Sequence, residues 1–235
     1  MRALKRWLLF AGVAVLTSCA RGMPHATILY MKERELGGPA FPTKVVITHR
    51  FVRIDPDTGT GNYILFNRKQ SVIYSVDAAD RTILVIRSHP ITLRRPKTLT
   101  NVVERDGSAG RFGKHKVFRY RLLTSGEQCY TIAAARHLLP HAAQALASYA
   151  RTLAGEQAIT AENTPSRLET PCGLADNVFN PGREYAEGFP VRMTDADENQ
   201  KVLIAFKHDV PVKRSLFTLP AHYVRYSPGE VRDGG

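Results

Sequence analysis

Cysteine is scarce in this 235-residue chain: there are three, Cys19, Cys129 and Cys172, beside one tryptophan and four methionines. No two cysteines stand at C-x-x-C spacing, which excludes a dithiol redox centre and a four-cysteine zinc site. No apolar run approaches the about 20 residues that a membrane-spanning helix needs. There is no G-x-S-x-G nucleophile elbow, no H-E-x-x-H, no P-loop and no internal repeat. Acidic residues are also in short supply, 21 against 33 basic, for a formal charge of +12. Disorder as the main state is excluded, because hydrophobic residues make up 43% of the chain and charged ones 23%, ordinary values for a folded domain.

What is present begins at the N-terminus. Arg2, Lys5 and Arg6 precede an apolar stretch of ten, WLLFAGVAVL at 7–16, and then small residues. A basic end, a short greasy middle and small residues at a cut is the layout of a secretory signal. An ordinary signal peptide with a chance cysteine at its cut is one reading. Leu16-Thr17-Ser18-Cys19, however, resembles the lipobox of bacterial lipoproteins. That resemblance implies cleavage before Cys19, lipidation of Cys19, a tether at 19–26 and, because Ala20 rather than Asp follows the cysteine, the periplasmic face of the outer membrane. Several acyl chains anchor stably where one does not.

Without Arg2, Lys5 and Arg6 the 33 basic residues become 30 against 21 acidic, a net +9. An exported protein has little access to nucleic acid, so such a charge is offered to lipid headgroups or envelope polymers, or is simply a solvated surface. If Cys19 carries lipid, Cys129 and Cys172 remain for one disulfide in an oxidising compartment; two free buried thiols are the alternative.

From 27 to 135 the chain reads as β-rich. β-branched and aromatic runs at 27–35, 43–54, 63–67, 71–76, 81–87, 100–105, 114–123 and 128–135 are separated by turn clusters, among them DPDTGTGN and GSAG. The links RKQ and DAAD are too short for parallel crossovers, so an antiparallel meander is expected. SHPITLRRPKTL at 88–99, with two prolines, is a longer connection. Alanine and leucine then dominate. Pro140 suits a first helical turn, Leu146, Tyr149, Ala150 and Leu153 recur at helical spacing, and Gly155 suits a stop, so a helix is expected at 140–154. Residues 160–183 read as irregular. Strands at 184–194 and 200–209, a short run at 214–219 and a frayed tail at 226–235 complete the expectation. In Tyr63-Ile64-Leu65-Phe66 large side chains point to both faces of a strand, so the sheet needs cover. The expected fold is α+β and mainly β: a curved antiparallel sheet, an open half-barrel, with one substantial helix on its concave face.

The run NYILFNRKQSVIYSVDAADRTILVI and the ending LFTLPAHYVRY resemble the lipoprotein-carrier superfamily, the LolA/LolB-like half-barrels. The resemblance covers 27–225 as one domain and implies an apolar cavity under a helical lid, able to hold acyl chains. The single helix and the cysteine-bounded loop depart from the carriers' pattern, and none of their lid or transfer-loop residues can be matched here.

The chemistry-bearing candidates all have plainer readings. His137 and His141 stand four apart but straddle Pro140, with no acidic residue between them. Asp195, Asp197 and Asn199 match the first three positions of a calcium loop, but Gln200 replaces its glycine and Phe206 its glutamate. Asp55 and Asp57 before Gly59 and Gly61 lack a lysine and a helix start. His49, His89 and His208 have no motif around them. Arg94, Arg95 and Lys97 form the densest basic cluster, on a loop. No catalytic residue, cofactor or metal is therefore expected. The function expected is non-catalytic binding of an apolar or acylated ligand; the alternative is a module that docks an envelope protein or polymer.

Overall fold

The structure, a computed structural model, describes residues 22–233; Cys19 and the signal segment expected at 1–18 lie outside the described residues. The chain is mainly β and forms one open sheet of twelve strands in the order β12-β6-β5-β4-β3-β2-β1-β11-β10-β9-β8-β7. Two antiparallel meanders make up all of it but β12, Val224–Tyr226. The first runs β1 His25–Arg34, β2 Ala40–Ile47, β3 Phe51–Pro56, β4 Tyr63–Asn67, β5 Val72–Asp77 and β6 Thr82–Arg87. The second runs β7 Asn101–Phe112, β8 His115–Thr124, β9 Glu127–Ala135, β10 Phe189–Asp195 and β11 Gln200–Pro211. They join where β1 pairs with β11. The helix α1, Pro140–Glu162, leaves β9 and packs on the sheet.

Both faces are covered over the first meander, as the alternation in β4 demands. Ile64 and Phe66 join the core under α1 with Leu29, Val45 and Ile73. Tyr63 and Leu65 turn the other way and meet Phe217, Leu219 and Tyr223 of the C-terminal segment. Burial of these side chains, worth roughly 1.5–3 kcal/mol each, is the main drive for the sheet to hold both layers.

Several expected boundaries move, each for a local reason. The run 43–54 is two strands, because Thr48 Oγ1 accepts the backbone N–H groups of Arg50 and Phe51 and so builds a turn at 48–50. GSAG is no hairpin turn. It lies inside β7, where the pairing with β8 shifts register on either side of Ser108, and Gly107 and Gly110 take positive φ. The run 214–219 is a 3-10 turn, Arg214–Phe217, and the last strand is β12, Val224–Tyr226, parallel to β6. The tail does not fray at 228–233: it forms α3, Pro228–Asp233, opened by a capping box in which the Ser227 N–H and hydroxyl both donate to Glu230. In 160–183 there is a one-turn helix α2, Pro171–Leu174, followed by a π-helical turn, Ala175–Phe179.

The helix α1 opens at Pro140 as expected but runs through Gly155 to Glu162. Its buried residues are small: Ala142, Ala145, Ala147, Ala154, Gly155 and Ala158. They let other backbone come close. A Cβ on Gly155 would lie 2.6 Å from both the carbonyl oxygen and Nδ1 of His89, and one on Gly182 would lie 2.7 Å from Ala147. The alanine richness that reads as helix propensity is thus also a packing requirement.

Cys129 of β9 and Cys172 of α2 are joined by a disulfide, with Cα atoms 5.2 Å apart and 43 positions between them in sequence. Replacing both with serine should cost about 4 kcal/mol by the loop-entropy relation, lowering Tm by roughly 8–15 °C for a domain of this size; thermal unfolding of the wild type with and without reductant checks the same figure. Gly155→Ala should destabilise by about 1–2 kcal/mol, since overpacking against His89 exceeds the helix-propensity gain of about 1 kcal/mol. A higher Tm for this variant would contradict the close approach.

Candidate functional site

Three cross-strand rows line an apolar cavity of about 290 Å³ between the sheet and α1. The deepest is Leu29–Val45–Ile54–Ile64, running across β1, β2, β3 and β4. The next is Met31–Thr43–Pro56. The outermost is Lys201–Glu33–Phe41. Rows of one face are two residues apart, so the first and third lie roughly 13 Å from each other. Leu146 and Tyr149 of α1, with Tyr185 and the β10 residues Phe189, Pro190 and Met193, complete the wall. Tyr149 meets Phe66 edge-on, ring centroids 5.9 Å apart.

Polarity rises from row to row. The first is wholly apolar. The second carries one hydroxyl, Thr43 Oγ1; Thr43 is 3% exposed and this atom has no hydrogen-bond partner among the described residues. The third carries the ion pair Glu33–Lys201, 3.2 Å, with Lys201 half-exposed. Burial raises the hydroxyl pKa of Tyr149 and pushes that of Tyr185 well above the ordinary tyrosine value, so both phenols stay neutral.

The segment that supplies Tyr185 and Phe189 is pinned at two points. The disulfide holds Cys172 to β9. Arg183, with 9% of its side chain exposed, donates to Asp176, to Asn101 Oδ1 at 2.9 Å and to the Leu123 carbonyl at 3.4 Å. Burial raises the Asp176 carboxyl pKa while Arg183 opposes the shift, and burial likewise raises that of Glu184. A wider and more open groove, about 660 Å³, lies between α1 and residues 179–189 and is edged by Gln144, Arg151 and Asn180.

The residues singled out in the sequence fall elsewhere. His137 lies at the edge of the groove in a left-handed turn before α1, and no group of three metal-ligating side chains exists among the described residues. Asp195 is occupied in its own turn, accepting the N–H groups of Asp197 and Asn199 and the Asn199 amide. Asp55 pairs with Arg53 at 2.7 Å. His89 meets Glu156, and His208 meets Thr27 and the Phe206 ring, so these histidines have separate partners. Arg95 is not merely solvated: it donates to Leu99 O and Asn180 Oδ1. Sequence reasoning missed Glu33, Thr43 and Lys201. Thr43 sits in AFPTKVVI at an alternation position that otherwise holds Phe41, Val45 and Ile47, and a polar residue in such a set is the signal that could have found it.

An unpartnered buried hydroxyl costs roughly 1–3 kcal/mol. Thr43→Val keeps the shape and removes that cost, so the ligand-free protein should gain about 1 kcal/mol, a Tm rise of roughly 2–4 °C measurable by calorimetry. A fall in Tm would show that the hydroxyl is satisfied.

No protein-family model matches the chain, and no curated protein matches it. Among solved structures it is similar to an uncharacterized conserved protein from Thermus thermophilus, with 10% identity and a TM-score of 0.46 over 86% of this chain and 90% of that one. It is also similar to PNGF-II, in two crystal forms, with 7% and 8% identity and TM-scores of 0.45 and 0.41; there 89% of this chain corresponds to 32% of that one, so the chain spans about a third of PNGF-II.

Proposed function

We propose that this chain is an envelope lipoprotein, anchored through acyl groups on Cys19 at the periplasmic face of the outer membrane, and that it binds one apolar or acyl chain without catalysing a reaction. The observation that carries the reading is the cavity under α1, with its apolar floor and polar mouth.

The half-barrel part of the reading has two supports. Residues of β4 and β10, five strand spacings apart, line the same cavity of about 290 Å³. On a flat sheet they would stand about 24 Å apart. The edge strand β7 and β6, which is covered on its outer side only by the short β12, are joined by only 13 residues, 88–100. Ten strand spacings laid flat would need about 48 Å, the full reach of that connection at 3.3–3.6 Å per residue. Yet Leu99 is buried, Arg95 reaches back to Leu99, and His89 sits against α1. Such a connection supports a sheet that curls.

Size decides what fits. Ligand pockets commonly run from about 300 to 1,000 Å³, so this one suits a single chain rather than a triacylated cargo. A depth of roughly 13 Å takes about ten carbons of an extended chain, whose 1.5 Å bonds advance in zigzag. At about 0.8 kcal/mol per buried methylene the gross gain is about 8 kcal/mol, and losses of translational and conformational freedom reduce it. That combination predicts a carrier or sensor with weak to moderate affinity. Among the described residues no helix is long and apolar enough to cross a membrane.

The test is mass spectrometry of lipids that co-purify with the full chain carrying Cys19→Ala. A single-chain apolar species near one equivalent is expected. Leu146→Trp, which fills the cavity, should abolish it while leaving the unfolding transition cooperative. A clean protein that also fails to bind added methyl decanoate would overturn the reading.

A further inference from the structure

We infer that the chain carries a second site, for a phosphate-bearing ligand, on the face of β8–β11 opposite the apolar cavity. Consecutive residues of a strand point to opposite faces. Met193 and Lys201 face the cavity. Their neighbours Arg192 and Val202 belong to another row, Arg119–Ala133–Arg192–Val202–Lys32, which crosses β8, β9, β10, β11 and β1. Three of its five residues are cations and none is acidic. The next row on that face holds Thr131 directly opposite Thr194.

All of these residues but Lys32 line a trough of about 440 Å³. Ala133 stands between Arg119 and Arg192, so a small side chain leaves a gap with a guanidinium on each side. Arg111 borders the same trough, and the paired hydroxyls of Thr131 and Thr194 lie beside the gap. Val117, Val191 and Phe112 supply apolar wall next to the arginines.

The charges are not balanced from within. No carboxylate lines the trough. Arg192 has no hydrogen-bond or ion-pair partner among the described residues. The carboxylate that meets Arg119 is Asp106, 3.8 Å away and half-exposed. Arg111 donates to a backbone carbonyl, that of Lys114. Like charges held across an alanine repel, and an anion in the gap converts that repulsion into attraction. Two arginines that flank one alanine, with hydroxyl donors nearby, match a tetrahedral oxyanion, which accepts from several directions, better than a planar carboxylate. The shared chemistry is a phosphate group, and a lipid headgroup or a free phosphate would each present it.

Calorimetric titration of the full chain carrying Cys19→Ala, at about 150 mM salt so that non-local attraction is screened beyond about 8 Å, tests the site. Inorganic phosphate, phenyl phosphate and dihexanoyl phosphatidate are the probes, with phenol as the neutral control. Binding of the phosphate-bearing probes but not of phenol is expected. Arg119→Ala and Arg192→Ala should each weaken it about tenfold or more, Arg192→Lys less. Lys69→Ala, an exposed cation in the β4–β5 turn, should leave it unchanged. Tighter binding of the phosphatidate than of inorganic phosphate assigns the site to a lipid headgroup, and equal binding assigns it to free phosphate. Either supports the proposal. Absence of binding to all three probes, or an equal loss from Lys69→Ala, overturns it, and neither result bears on the apolar cavity.

Discussion

The pairing of β1 with β11 is the constraint on which the rest of the molecule depends. It brings His25–Arg34 beside Gln200–Pro211, residues near opposite ends of the described chain, and turns two separate meanders into one sheet. Contacts so distant in sequence carry a large loop-closure cost. That cost is offset locally, because Leu29 and Leu203 are almost fully buried at the seam. The cavity lining straddles the same seam, with Leu29, Met31 and Glu33 on one strand and Lys201 on the other. Without this pairing the Glu33–Lys201 mouth would not form and the wall from β10 would not meet the apolar floor.

The meander order, the single long helix and the pairing of Cys129 with Cys172 were legible in the sequence, because each rests on a local or arithmetic signal: short polar links, proline and periodicity, and the count of thiols. What was not legible depends on contacts between segments. Gly155 reads as a helix stop until His89 is seen to press on it. The glycines of GSAG read as a turn until β8 is seen to continue past them. The parallel β12 follows from a segment that crosses the sheet, for which no short-range pattern exists. S-P-G-E, by contrast, is a short-range helix signal, and its box at Ser227–Glu230 makes α3 where composition alone suggests fraying. Of the site, the helix over an apolar face was foreseen. Its polar members, Glu33, Thr43 and Lys201, were not, since they come together only through the register of β1, β2 and β11.

The roof of the cavity is held more firmly than the helix alone would hold it. A disulfide and the buried Arg183 tie 172–183 to β7, β8 and β9, and Gly182 lets that segment rest directly on Ala147. Buried carboxyls at Asp176 and Glu184 and neutral phenols at Tyr130 and Tyr185 stand behind this roof, their pKa values raised by burial. Such a dense polar layer is acceptable in the interior because its main cation, Arg183, reaches three acceptors at once. The result is a pinned wall on one side of the cavity and the Leu146 and Tyr149 side chains of α1 on the other.

Arg192 and Met193, and likewise Lys201 and Val202, are successive residues that serve different sides of one wall. The molecule has already used an extra residue here, since the pairing of β9 with β10 skips between Pro190 and Arg192. Inserting or deleting a single amino acid in β10 or β11 would trade the two linings, placing guanidinium groups in the greasy hollow and methionine among the cations. Descendants of this gene can therefore vary the side chains of these strands one at a time, but their length is locked, and any change in it must come in compensated pairs.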